Sequence, residues 1–333
     1  MFIKTVERYH MRLHQKLSNI RGGNYQKPDF IIADAKDGDM AFGCATAGAN
    51  EAGVSLPITK YRDDIIRVVK CDLADIMLTS VSNAEILSDL NLYSTTQTIP
   101  AVRLNDTTDI WHVRGGTYPK HMMQNFRTAE IIRAKEVAEL GLYSVTFYND
   151  LEADLNTLHQ YKVFRNEASE LEFDHFLEVF NPQIPVSTDD EFWKYNNDMI
   201  VRCLAGVSRN DRPLFLKAAY NGPAATEEIS SYDPENLIFG ILGGSAGTTR
   251  DCLELLKQAE KYGARVALFG RKIYQSECSI SMITAMRRVL EEDISSIEGV
   301  KAFHDDLSKL GIKPKRAIKD DLELTEEILQ VNV

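Results

Sequence analysis

No apolar run in the 333 residues is long enough to cross a bilayer, and the opening stretch, MFIKTVERYHMRLHQ, is charged throughout and carries no apolar signal core. Neither insertion nor export is expected, which points to the cytoplasm. Cysteine is sparse: Cys44, Cys71, Cys203, Cys252 and Cys278 are odd in number, widely spaced and never form C-x-x-C. Reduced thiols fit this pattern better than a disulfide framework. Positive charge is outnumbered, 38 Lys and Arg against 49 Asp and Glu for a net charge of -11. With no basic, aromatic-rich cluster to offset it, a nucleic-acid partner is not expected. Gly240, Gly243, Gly244 and Gly247 miss the G-x-G-x-x-G spacing and no G-x-x-x-x-G-K-[ST] occurs, so a dinucleotide or nucleotide fold has no support. His10 and His14 stand four apart, but nothing at ligand spacing completes a metal site. No cofactor is called for.

What is present is a globular composition, 44% hydrophobic and 26% charged, arranged as a regular alternation. Residues 2–19 read as an amphipathic helix on Phe2, Val6, Tyr9, Leu13 and Leu17, ending at Gly22 and Gly23. Strands are expected at 30–34, 74–79, 99–104, 142–148, 176–180, 213–219, 237–242 and 265–269. Helices follow them at 58–69, from about 82, at 126–140, 153–169, 190–205, 224–231, 249–262 and 279–290, with Thr248 and Asp251 spaced as a capping box. Eight strands with nearly continuous apolar character, each followed by a helix, predict a single (β/α)8 TIM barrel. The expected organisation is a helical lead-in over 1–25, the barrel over 26–293, and a helix at 296–310 with a solvated acidic tail from Asp320 within 294–333.

In such a barrel chemistry belongs at the C-terminal ends of the strands. The sixth strand lies in PLFLKAAYNG, where Lys217 interrupts a run apolar on both faces. Desolvation favours a neutral, nucleophilic amine. Lys217 is either a Schiff-base nucleophile or a structural lysine paired with a carboxylate. Glu178, alone between Phe176 and Phe180, is a general acid/base beside Lys217 or half of a structural ion pair. Ser144, Thr146 and Tyr148 share a face of the fourth strand, with Tyr148 a proton shuttle or a core phenol. Asp34, Asp37 and Lys36 cluster at the end of the first strand, and Arg103 lies on the third; ligand contact and solvated loop entry both remain open. The turns Gly243-Gly244-Ser245-Ala246-Gly247 and Gly270-Arg271 stand where main-chain amides of such barrels hold phosphate, although glycine also suits a plain tight turn. Residues 105–124 form either a lid or an oligomer contact.

SVTFYND at 144–150, FLEVFNP at 176–182, PLFLKAAYNGP at 213–223, LIFGILGGSAGT at 237–248 and ARVALFGRKIYQ at 264–275 together resemble the class I aldolases of the tagatose-bisphosphate and fructose-bisphosphate type, within the deoxyribose-phosphate aldolase superfamily. FIIADAKDG at 30–38 matches more loosely. The resemblance implies a metal-independent lyase of carbohydrate metabolism that cleaves or forms a carbon–carbon bond in a phosphorylated ketose or related keto compound. Lys217 then corresponds to the Schiff-base lysine, Glu178 to its neighbouring glutamate, with Tyr148 or Asp34 assisting proton transfer. Gly243, Gly244, Ser245, Gly270 and Arg271 correspond to the phosphate turns, with Arg103 a further binding residue. A homo-oligomer is the expected assembly. The tagatose-bisphosphate enzymes carry a second lysine on the fourth strand, and Ser144 stands there in this chain. A phosphosugar isomerase or epimerase, and a non-catalytic metabolite-binding barrel, are the alternatives from other classes.

Overall fold

A strand that is apolar on both faces is stable only when both are covered, and this chain achieves that by closing its strands into a ring. The computed structural model describes residues 11–332 apart from 51, 245 and 246. Eight parallel strands, β1 (Ile31–Lys36), β2 (Ile76–Thr79), β3 (Ile99–Arg103), β4 (Leu140–Thr146), β5 (Asp174–Phe180), β6 (Leu216–Ala218), β7 (Gly240–Leu242) and β8 (Val266–Phe269), pair in order and β8 pairs back onto β1. The expected TIM barrel is therefore the observed fold.

Alternation sorts the side chains into two cores. Ile31, Ala33, Ile76, Leu78, Ile99, Ala101, Leu140, Leu142, Phe176, Phe215, Val266 and Leu268 fill the lumen, where Phe176 and Phe215 stack with centroids 4.7 Å apart. The residues between them, such as Ile32, Met77, Val102, Val145 and Val179, face the surrounding helices. The helix Met11–Arg21 presses Leu13, Leu17 and Ile20 into the lumen core and so plugs the floor. Phe2, Val6, Tyr9 and His10 lie outside the described residues. Beneath the plug, fully buried Asp75 meets Arg12 (2.8 Å), Lys16 (3.0 Å) and Arg287 (2.7 Å). Burial pushes this carboxyl up, but the three cations hold it below the ordinary range.

Two expectations need correction. The helix expected at 126–140 is one turn, Ile131–Ala134, because Asn125–Phe126 is drawn into an antiparallel ribbon with Asp106–Thr107 and Leu140 already begins β4. The acidic tail is not a solvated end. Asp321 is 2% exposed and Leu329 0%. Asp321 Oδ1 accepts the Thr249 N–H (2.8 Å), and Asp251 Oδ1 accepts that of Thr325 (2.8 Å). Gln258 Nε2 donates to the Leu329 carbonyl (2.8 Å). The tail's carboxylates and carbonyls thus satisfy groups on the helix Thr249–Lys261, where Thr248 and Asp251 also form the expected capping box.

Candidate active site

Register brings the polar lumen residues together. Ser144 on β4 is level with Glu178 on β5, and Glu178 with Lys217 on β6, so three neighbouring strands aim a hydroxyl, a carboxylate and an amine into the lumen above Phe176. Glu178 is 1% exposed and Lys217 5%. Glu178 Oε1 forms an ion pair with Lys217 Nζ. Its Oε2 accepts from Ser144 Oγ (2.8 Å) and from Arg103 Nη2 (3.1 Å). Arg103, from β3, also donates through Nη1 to Ser144 Oγ (2.7 Å) and through Nε to Asp37 Oδ2 (2.5 Å).

A carboxylate in a dry interior is costly unless each oxygen meets a donor. Burial drives the Glu178 carboxyl up, yet the charges of Lys217 and Arg103 and the bonds from Lys217 and Ser144 outweigh it and hold Glu178 below the ordinary range. Asp37 and Glu178 likewise keep the Arg103 guanidinium protonated against its own burial. The short Ser144 side chain leaves the space that the Arg103 guanidinium enters, so a cation beside Glu178 is provided from β3. Asn105 fixes this corner, donating through Nδ2 to the Ser144 carbonyl (2.7 Å) and accepting the Ser144 N–H (2.6 Å).

Above the cluster opens a cavity of about 230 Å³, lined by Lys217, Glu178, Arg103 and Asp37 and by the turns Gly243, Gly244, Gly270 and Arg271. Gly244 has φ +63°, a left-handed conformation, and a Cβ on Gly270 would lie 2.9 Å from the Ala35 carbonyl oxygen. Ser245 lies outside the described residues. Phe42, Ile110 and His112 complete the wall, with His112 stacked on Phe42 at 5.5 Å.

The remaining expected site residues stand elsewhere. Since β1 turns Ala33 inward, Asp34 faces out of the barrel, 3.2 Å from Lys36 Nζ, whose second partner is Asp64 at 3.0 Å. Burial, offset by Lys36 and reinforced by Asp64, pushes Asp34 up to about 7. Tyr148 lies past the end of β4 and donates to Asp109 Oδ2 (3.0 Å), while its oxygen accepts the Met123 N–H (2.9 Å). It thereby ties two points of the β3–β4 connection, Asp109 and Met123, to the barrel. Thr146 Oγ1 donates to the same Asp109 oxygen (2.9 Å), and burial raises that carboxyl despite these bonds. Of the residues left open at the end of the first strand, Asp37 is the one that lines the cavity, whereas Asp109 was passed over by sequence reasoning. The signal for Asp109 was present: Thr146 and Tyr148 on one strand face need a hydrogen-bond acceptor, and residues 105–124 of the preceding connection hold two carboxylates, Asp106 and Asp109.

No family model matches the chain, and no curated protein matches it. Among solved structures it is similar to a Schiff-base-forming fructose-1,6-bisphosphate aldolase, with TM-score 0.60 and 15% identity over 84% of this chain and 99% of that one. An archaeal fructose-1,6-bisphosphate aldolase, whose catalytic lysine is covalently bound to the carbinolamine intermediate of its substrate, gives TM-score 0.60 and 14% identity over the same shares. The fructose-bisphosphate aldolase of Slackia heliotrinireducens gives 0.63 and 11% over 88% and 90%. The fold is shared with these aldolases. At such identities the likeness is one of architecture, and the chemistry must be argued from the cavity itself.

Proposed function

We propose that the protein is a class I aldolase, forming a Schiff base between Lys217 and a phosphorylated ketose or related keto compound and cleaving or making a carbon–carbon bond through it. The observation that carries this reading is the placement of Lys217: a nearly buried amine at the C-terminal end of a barrel strand, touching one carboxylate and facing a cavity edged by glycine turns.

Glu178 takes a proton from Lys217, and the amine attacks the ketone carbon. After the proton moves from nitrogen to oxygen the adduct is a neutral carbinolamine. Glu178 returns its proton to the departing hydroxyl, water leaves, and a protonated imine remains. When the hydroxyl β to the imine loses its proton, the adjacent carbon–carbon bond breaks; its electrons pass to the iminium, giving an enamine and an aldehyde. Asp37 and Glu178 are the carboxylates lining the cavity for that second proton. Asp34, behind the wall, takes no step, and Tyr148 acts on the loop. The Gly243–Gly244 and Gly270–Arg271 turns hold the phosphate and set which carbon meets Lys217.

The ion pair favours a second reading, a phosphosugar isomerase or epimerase in which Lys217 stays an ammonium and Glu178 is the base. Borohydride separates the two. With a panel of phosphorylated ketoses, intact-protein mass should rise by one reduced ligand, the mass mapping to Lys217, and Lys217→Met should lose both adduct and cleavage. Turnover without any adduct would leave only the isomerase.

A further inference from the structure

The charges around the cavity restrict what it can hold. Five charged residues line it: Asp37, Arg103, Glu178, Lys217 and Arg271. Two of the three cations are already committed, Arg103 to Asp37 and Glu178 and Lys217 to Glu178. Among the described residues, Arg271 is the lining cation with no ion-pair partner; it lies beside the Gly270 turn with its guanidinium 6.0 Å from the Phe42 ring centre. The remaining wall offers no second positive charge. Phe42, Ile110 and Phe180 give it apolar surface, Tyr61, Tyr274 and Gln275 are neutral polar groups, and burial together with the neighbouring Arg271 holds the His112 imidazole below its ordinary pKa. What that wall offers is a neutral donor: Thr46 is buried, lines the cavity, and its hydroxyl has no hydrogen-bond partner among the described residues.

We propose that the substrate is a polyhydroxy ketone carrying a single phosphate, bound by Arg271 and the glycine turns, with an uncharged hydroxylated end reaching Thr46, and that bisphosphates are discriminated against. The proposal rests on the Schiff-base reading for its ketone and on the cavity alone for its charge. A second phosphate dianion would lose its water against neutral side chains near the Asp37 carboxylate, with no uncommitted cation to compensate. Selectivity arises from that penalty as much as from the attraction of Arg271.

Two sets of probes keep these halves apart. A hexitol monophosphate and a hexitol bisphosphate lack the carbonyl and report charge preference alone, by titration calorimetry; fructose 1-phosphate, fructose 6-phosphate and fructose 1,6-bisphosphate with borohydride report the covalent step. The monophosphates are expected to bind and trap at concentrations roughly tenfold or more below the bisphosphates, the worth of one desolvated charge contact. Arg271→Gln should weaken the monophosphate by about the same factor, and His112→Lys should strengthen the bisphosphate alone. Thr46→Val should weaken monophosphate binding while leaving the discrimination against bisphosphate intact. Bisphosphate binding as tight as monophosphate, indifference to Arg271→Gln, or no binding of either hexitol ester overturns the proposal. Monophosphate preference with no trapped ketose sinks the Schiff base and upholds the charge limit.

Discussion

Among the described residues Glu178 has three partners and Lys217 one, so the two halves of their ion pair are not equivalent, and a double-mutant cycle should expose the asymmetry. Glu178→Gln keeps the shape but leaves Lys217 without a counter-charge and removes one of two from Arg103. Breaking a buried pair from one side costs about 3–5 kcal/mol. Lys217→Met costs less, because Glu178 retains Arg103 and Ser144; the loss approaches that of one hydrogen bond to a charged group, about 1.5–3 kcal/mol. Unfolding entropy of about 2.1 cal/mol/K per residue, over 333 residues, gives about 0.7 kcal/mol/K. The expected falls in Tm are therefore about 4–7 °C for Glu178→Gln and about 2–4 °C for Lys217→Met. The double variant, in which neither charge is stranded, should recover about 1–3 kcal/mol relative to the sum. Differential scanning calorimetry at neutral pH reads all three. The gap between wild type and Glu178→Gln should also close in acid: the carboxyl lies below its ordinary 4.5 when folded, so its contribution is complete above 4.5 and lost as pH falls through the lowered value. A Lys217→Met protein as unstable as Glu178→Gln, or strictly additive effects, would refute the hub arrangement.

Asp34 carries the opposite sign. It ionises near its ordinary 3.8 when unfolded but near 7 when folded, so the folded chain keeps a proton that the unfolded chain has released, and stability falls as pH rises from about 4 to 7. Asp34→Asn should remove that slope in urea titrations, and an unchanged slope would place the proton elsewhere. Tyr148→Phe removes the donor to Asp109 and the acceptor of the Met123 N–H. Hydrogen exchange should accelerate over residues 108–123 with a Tm shift within about 2 °C, whereas uniform acceleration would mean the tyrosine supports the whole barrel. In the proposed mechanism the iminium is itself the electron sink, so cleavage should survive EDTA; loss on chelation and rescue by zinc would overturn the class I assignment.

The barrel was legible because its strands are apolar on both faces, a pattern that surface sheets lack. Lys217 and Glu178 stood out for the same reason, each a lone charge in such a run. Asp34 misled because β1 ends in small residues: Ala33 and Ala35 line the inside without announcing it, and the charged Asp34 and Lys36 turn outward toward Asp64. Arg103 was read as a ligand contact, but sequence cannot show that Asp37, Ser144 and Glu178 all converge on one guanidinium. The segment 126–140 carries good helix formers, and only its pairing with Asp106–Thr107 and the early start of β4 shorten it. The tail illustrates the same limit, since Asp321 looks solvated until the Thr249 amide it caps is known, and Thr325 until its bond to Asp251 is.

That tail has a consequence for synthesis on the ribosome. The helix Thr249–Lys261 leaves the exit tunnel well before Asp321, Thr325 and Leu329, which satisfy Thr249, Asp251 and Gln258 across gaps of 71–74 residues. The plug Met11–Arg21, made first, likewise waits for Val266 and Leu268 before its pocket in the lumen is complete. A chain ending near residue 300 thus has all eight strands and yet leaves the Thr249 amide, just past the Gly243–Gly244 turn, without its Asp321 acceptor. Closing the barrel and completing its rim are therefore separate events in the making of this chain.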